Sequence, residues 1–233
     1  CSSQYLAPPP QGWMPAGFKA KLENGTKKIK ADLSQLTANE AVKTARFYFL
    51  WVMLFINISC GIAIIAVASP MGQELAGLSA ASAAGMVAII GIFNGLGRFG
   101  WSSVSDHIGR PITWMMFFVI QIIAFLVLPK ITNPVMFQAV IFIIMTCYGG
   151  GFASVPAYIS DLFGTKQVSA IHGYILTAWS CAGVFGPMLL AMVKDRTQSY
   201  SATLYVFSGL FALALIVSIM LTVKIRFVRA RNS

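Results

Sequence analysis

IGIFNGLGRFGWSSVSDHIGRP, residues 90–111, starts inside an apolar run, holds a single arginine, Arg98, and leaves through Asp106, His107 and Arg110. An arginine near the centre of a membrane-spanning helix costs about 2.5–3.5 kcal/mol on insertion scales, so it needs an interior partner or a route to water. The glycines at 91, 95, 97 and 100 leave one flank of that helix nearly bare. Another backbone or a ligand can therefore come close to it. What Arg98 is for decides how the rest of the chain is read.

The surrounding composition is that of a membrane protein. Hydrophobic residues make up 57% and charged residues 10%, against about 25% charged in a soluble domain. Six stretches reach the roughly 17–25 residues that a bilayer crossing requires: 47–68, 79–104, 112–128, 134–159, 170–193 and 202–223. The expected fold is an all-α membrane protein of six transmembrane helices, preceded by a polar segment (1–46) and followed by a basic tail (224–233).

The net charge of +10 follows topology and does not read as a nucleic-acid footprint. Thirteen lysines and arginines lie before the first span, in the second and fourth connections and after the last span; three (Lys130, Lys194, Arg196) lie on the other side. The positive-inside rule then puts both ends of this segment in the cytoplasm, in a cell membrane crossed several times. Cys60, Cys147 and Cys181 fall within different spans and are expected as free thiols. Cys1 could carry a lipid, but a chain that starts without methionine is better read as a piece of something longer.

Before the first span, three consecutive prolines (8–10) predict an extended segment, and 15–32 is either a solvated linker or a headgroup contact. Residues 33–46 (LSQLTANEAVKTAR) have helical spacing with a start at Ser34 or Thr37 and predict an amphipathic helix at the cytoplasmic face. The first span carries Asn57 at mid-depth, as interhelical glue or facing a cavity. It is expected to stop at Ser69-Pro70. The third holds Gln121. In the fourth, Gly149, Gly150, Gly151 and Pro156 predict either a bent, locally unwound helix lining a cavity or close packing of small residues. The fifth carries Trp179 near its centre, with His172 at its cytoplasmic mouth as a cap or gating contact. The two histidines have no partners at metal-ligand spacing, and nothing indicates a cofactor. No nucleophile string of an intramembrane protease and no channel-like ring of charges is present, so an enzyme is not expected.

SDHIGR, ending at Arg110 between the second and third spans, resembles the G-x-L-x-D-x-x-G-R loop of the major facilitator superfamily. Ser102 stands where its leading glycine usually is, and His107 where a basic residue is common. Gly109 allows the reversal, and Asp106 can cap the next helix or pair with an arginine as helices slide. With Arg110 and His172 these form the expected gating set. Together, NGLGRFGW, SDHIGRP, YGGGFASVPAYISDLFGT, QVSAIHGYILTAW and AGVFGP are similar to the oxalate/formate antiporter family of that superfamily over about residues 47–223. The resemblance implies a twelve-helix transporter in two six-helix halves. This chain would be the C-terminal half, residues 1–46 the central loop, and the N-terminal half its partner.

On a helix Asn94 and Arg98 are i, i+4 neighbours, with Trp101 and Ser105 continuing the stripe. A guanidinium grips a carboxylate through two parallel hydrogen bonds, and the resemblance implies that Arg98 is the substrate anchor. The bland alternative is that Arg98 snorkels, or pairs with Asp106 about 12 Å along the axis. Tyr148, Trp179 and Tyr174 could enclose a small organic anion or could simply pack. With Arg98, Asn94 and Asn57 they complete the candidate substrate site. Family members that carry oxalate are expected to place a second cation on the fifth span. Residues 170–193 contain none, which favours a monocarboxylate such as formate or lactate unless another half supplies the charge. Asn94 stands where proton-coupled relatives carry an acid, so proton symport through that position is in doubt. A structural membrane subunit without transport remains the other class.

Overall fold

The computed structural model describes residues 33–232, with side chains as far as Ala230; the expectations for Cys1, the prolines and the linker lie outside the described residues. Among the described residues, six helices are long and apolar enough to cross a membrane: Ala45–Ala76, Ala80–Ile108, Arg110–Lys130, Pro134–Phe163, Val168–Thr197 and Tyr200–Ala230. At 1.5 Å per residue the shortest, with 21 residues, is still about 31 Å long. The remainder of the described chain is turns and one short helix.

The ends of these helices follow local chemistry. Thr44 caps the first by accepting from the Phe47 N–H, Ser79 the second by accepting from Ser82, and Asn133 the fourth by accepting from Val135 and Met136. The first span runs beyond the expected stop at Pro70 as far as Ala76. A proline deprives the ladder of one donor but does not oblige the chain to leave it when packing continues on the other side. Met71, Gly72 and Ala76 remain buried, and the helix closes only at Gly77, whose φ of 61° suits the left-handed cap.

The segment before the first span is helical only over Ala38–Ala41, a single turn that starts at Thr37. There the Glu40 carboxylate accepts from the Thr37 N–H and hydroxyl, which holds it below its ordinary range. Residues 33–37 are not helical, because the backbone donors of Leu33 and Leu36 go elsewhere. The N–H groups of Leu33 and Leu36 reach the Asp161 and Phe163 carbonyls at 3.0 and 2.8 Å. Ser34 Oγ and Arg46 Nη1 both donate to the Leu162 carbonyl, at 2.8 and 3.1 Å. Arg46, one of the basic residues counted for topology, is therefore a buried cap on the open carbonyls of the fourth span.

The fourth span is unbroken from Pro134 to Phe163, through all three glycines and Pro156. Of the two alternatives for this stretch, close packing is the one found, because each glycine is filled by a neighbour. A Cβ on Gly149 would strike the backbone of Asn94, one on Gly150 the Trp101 ring, and one on Gly151 the Asn57 amide. Gly97 of the second span reciprocates by lying against the Thr146 backbone. With no hydrophobic drive between helices in lipid, such close backbone approach is what holds them together.

The irregularity falls in the fifth span. It divides at Leu176 into Val168–Ile175 and Thr177–Thr197. The first span packs against the fifth, sixth, fourth and second, while the third and sixth pack against each other. That last contact is an aromatic seam, with Phe125 and Phe211 centroids 5.2 Å apart and Phe118 and Phe211 6.2 Å apart. Each such pair contributes about 0.5–1.5 kcal/mol beyond the area it buries.

Candidate functional site

Arg98 lies ten residues before the end of its helix at Ile108, about 15 Å from it along the axis. It is exposed on the face of the bundle, and Asn94 beside it is half-buried. Its Nε donates to Asn94 Oδ1 at 3.1 Å. Its guanidinium carbon lies 5.2 Å from the centre of the Phe152 ring. Among the described residues Arg98 has no carboxylate partner: Asp106 and Asp161 both pair with Arg110, and Glu74 pairs with Lys194. One edge of the guanidinium is thus occupied by an amide and one face by a ring, while Nη1 and Nη2 have no protein partner among the described residues. A cation–π contact returns about 0.5–2 kcal/mol, less than the cost of placing the charge at this depth.

Four spans converge on this face. Phe152 of the fourth meets Trp179 of the fifth edge to face, with centroids 6.1 Å apart. Tyr148, one turn before Phe152, packs its ring on Gly61 of the first span and lies within electrostatic reach of Arg98. Trp51 of the first span donates its indole N–H to Thr177 Oγ1 at 2.9 Å, and Thr177 in turn donates to the Tyr174 carbonyl at 2.7 Å. Trp51 stacks on Phe55 (5.2 Å), which meets Phe185 (5.1 Å). Trp179 and Tyr174 are 48% and 46% exposed, so their rings remain free to meet something outside this bundle.

Of the residues expected to form a substrate site, Arg98, Asn94 and Trp179 are joined by direct contacts or through Phe152, and Tyr148 lies within electrostatic reach of Arg98. Tyr174 is linked through Thr177 to Trp51 of the first span. Asn57 does not share this face. It is fully buried, and its Oδ1 accepts from Gln121 Nε2 at 2.9 Å. That is the glue arrangement: the side chain is wedged between Gln121 of the third span and Gly151 of the fourth. The helical stripe also divides. Trp101 turns to donate to Thr146 at 3.2 Å and packs on Phe117, and Ser105 is buried under Arg110.

The expected gating residues gather at the end of the second span. Gly109, at φ 93°, ends one helix and opens the next. Arg110 pairs with Asp106, donates to Ser105 Oγ at 3.0 Å, and reaches Asp161 of the fourth span at 3.5 Å. His172 is not part of this cluster: it sits one turn before the Leu176 break, and its carbonyl accepts the Leu176 N–H. Phe152, Trp51 and Thr177 escaped the sequence reading. The i, i+4 spacings of Phe152 from Tyr148 and of Phe55 from Trp51 were the available signals.

Six membrane helices with an incompletely paired cation on a face built by four of them define a multi-pass protein of the transporter class. The sequence matches the Major Facilitator Superfamily over residues 5–187 and 50–233. The chain belongs to that superfamily, and its six spans are consistent with half of such a transporter. It is similar to an oxalate:formate antiporter from Oxalobacter formigenes, with 31% identity over 75% of this chain and 42% of the relative. It is also similar to YhjX of Escherichia coli (strain K12), an uncharacterised transporter of the same superfamily, with 30% identity over 64% of this chain and 37% of the relative. The chain thus spans about two-fifths of the length of these relatives.

Proposed function

We propose that this chain forms part of a secondary transporter of small carboxylates that works by alternating access, with Arg98 as the carboxylate anchor. The observation that carries the reading is the state of that guanidinium. Asn94 holds Nε and Phe152 covers one face, which leaves Nη1 and Nη2 as a two-pronged donor with no protein acceptor among the described residues. A carboxylate fits that fork and supplies the missing charge. Tyr148, Trp179 and Tyr174 offer aromatic walls of the size a short organic acid needs.

A monocarboxylate such as formate or lactate is the favoured cargo, because residues 168–193 of the fifth span carry no lysine or arginine to meet a second acid group. Exchange of oxalate for formate is the second reading. It is favoured by the similarity to the oxalate:formate antiporter, and it requires a further cation from a partner half. In either case the exposed face around Arg98 is to be completed by six N-terminal helices. The ends of this segment lie in the cytoplasm, in keeping with thirteen basic residues against three.

Uptake of labelled formate, lactate and oxalate into proteoliposomes, with and without an imposed proton gradient, separates the readings. Saturable formate or lactate uptake that Arg98→Ala abolishes supports the first. Oxalate exchange that survives without a gradient supports the second. Undiminished uptake by a well-expressed Arg98→Ala variant would remove the anchor, and an absence of flux for all three acids would favour a structural subunit.

A further inference from the structure

Away from the Arg98 face, one groove combines an apolar floor with a charged rim. It runs between the start of the first span and the end of the sixth and encloses about 670 Å³. Phe49 of the first span and Ile219, Met220, Val223, Lys224 and Phe227 of the sixth line it. Met220, Val223, Lys224 and Phe227 recur at i, i+3, i+4 and i+7, so they form one stripe along the helix. Val223 and Phe227 are 60% and 71% exposed, so apolar surface lies open directly beside a cation.

Position and charge say what fits there. Lys224 is the first charged residue after the uncharged run 202–223, and it therefore lies where acyl chains give way to headgroups. Phe49, one turn into the first span, stands at the same level because both helices end on the same side of the bundle. Residues 200–233 contain no aspartate or glutamate, while Arg226 and Arg229 follow within two turns. Lys224 makes no ion pair among the described residues. A soluble anion would satisfy the rim and leave the floor unfilled; a zwitterionic phospholipid would fill the floor, but its own ammonium offsets its phosphate, so it brings no net charge to balance Lys224.

We propose that this groove is a binding site for an anionic glycerophospholipid, its head phosphate on Lys224 and an acyl chain laid along Val223, Met220 and Phe49. Membrane-surface lysines attract anionic lipids, and here the apolar channel beside the ammonium converts that attraction into a defined seat. The site is separate from Arg98 and does not depend on which acid the transporter carries.

Photo-crosslinking in vesicles tests it. The chain, as it is expressed in its membrane, is reconstituted into phosphatidylcholine vesicles. These contain a trace of phosphatidylglycerol with a diazirine on its acyl chain, or phosphatidylcholine carrying the same diazirine. After irradiation, labelled peptides are located by mass spectrometry. The phosphatidylglycerol probe should label the stretch 219–228 and the peptide containing Phe49 about fivefold more than the phosphatidylcholine probe does, the worth of one lysine at an anionic surface. Lys224→Gln should bring the two probes level, and Lys224→Arg should keep the difference. Equal labelling of the unmodified protein by both probes would overturn the proposal. So would a preference that survives Lys224→Gln, or a groove that neither probe reaches because a polypeptide covers it.

Discussion

Gly149 of the fourth span lies directly against the main-chain carbonyl of Asn94, so the residue whose side chain grips Arg98 is itself fixed through its backbone. Packing and site are one structure at this point: the close approach of two helices sets the place from which the amide reaches the guanidinium.

Gly149→Ala and Gly97→Ala should each destabilise the protein, because the added methyl meets backbone that has nowhere to move. Overpacking of this kind costs about 1–3 kcal/mol. Gly209→Ala is the control, since a Cβ there meets nothing within 4 Å. Thermal unfolding in detergent should show lowered midpoints for the first two and an unchanged or slightly raised midpoint for the third. Equal midpoints for all three would mean that the second and fourth spans are not in such close contact.

If the fork of Arg98 is the anchor, its two neighbours should tune affinity without abolishing transport. Asn94→Ala frees Nε, and a hydrogen bond to a charged group is worth about 1.5–3 kcal/mol. The KM for the carried acid should therefore rise roughly tenfold or more. Phe152→Leu removes only the ring face and should raise it by about two- to fivefold, while Phe152→Trp should preserve it. A larger effect from Phe152→Leu than from Asn94→Ala would reverse the assigned roles.

Much of this was legible in the sequence, and what was not has a physical cause. Hydropathy located the six spans, because length and apolarity alone decide whether a helix can cross a bilayer. The choice of Arg98 followed from its cost at that depth. The geometry of the three glycines could not be read the same way. Gly149, Gly150 and Gly151 permit unwinding or close packing equally, and only the residues opposite them, on the first and second spans, decide for packing. The ambiguity of Asn57 had the same origin, since Gln121 lies on another helix. Leu176 carries no signal at all, yet the fifth span divides there. Thr177 and Tyr174 meet Trp51 from a different helix at that break, and no local spacing announces it.

That break makes a prediction of its own. Trp51 donates to the hydroxyl of Thr177, whose own proton goes to the Tyr174 carbonyl, so one threonine joins the first span to both segments of the fifth. Thr177→Val keeps the shape and removes the relay, and Trp51→Phe removes the other end. The two single variants should each lower stability by about 1 kcal/mol. The double variant should cost less than their sum, because the second change has no bond left to break. Strict additivity in denaturation midpoints would show that the two residues do not communicate.

Arg46, five residues before Trp51 on the same helix, offers a final check. Its buried guanidinium donates to the Leu162 carbonyl at 3.1 Å and to Ser34 Oγ at 3.4 Å, and it stands 5.6 Å over the Phe163 ring. A cation on the open carbonyls of a helix C-terminus contributes up to about 2 kcal/mol in partly buried geometry. Arg46→Ala should lose that amount and also release the segment that the arginine pins to the fourth span. Hydrogen exchange at Leu33 and Leu36, whose N–H groups depend on the Asp161 and Phe163 carbonyls, should accelerate more than exchange in the spans. Arg46→Lys keeps the charge but not the planar fork that serves carbonyl and hydroxyl together, so it should fall between the two. If Arg46→Ala leaves exchange at Leu33 and Leu36 unchanged, the backbone hydrogen bonds hold the segment unaided and the buried cation serves the helix end alone.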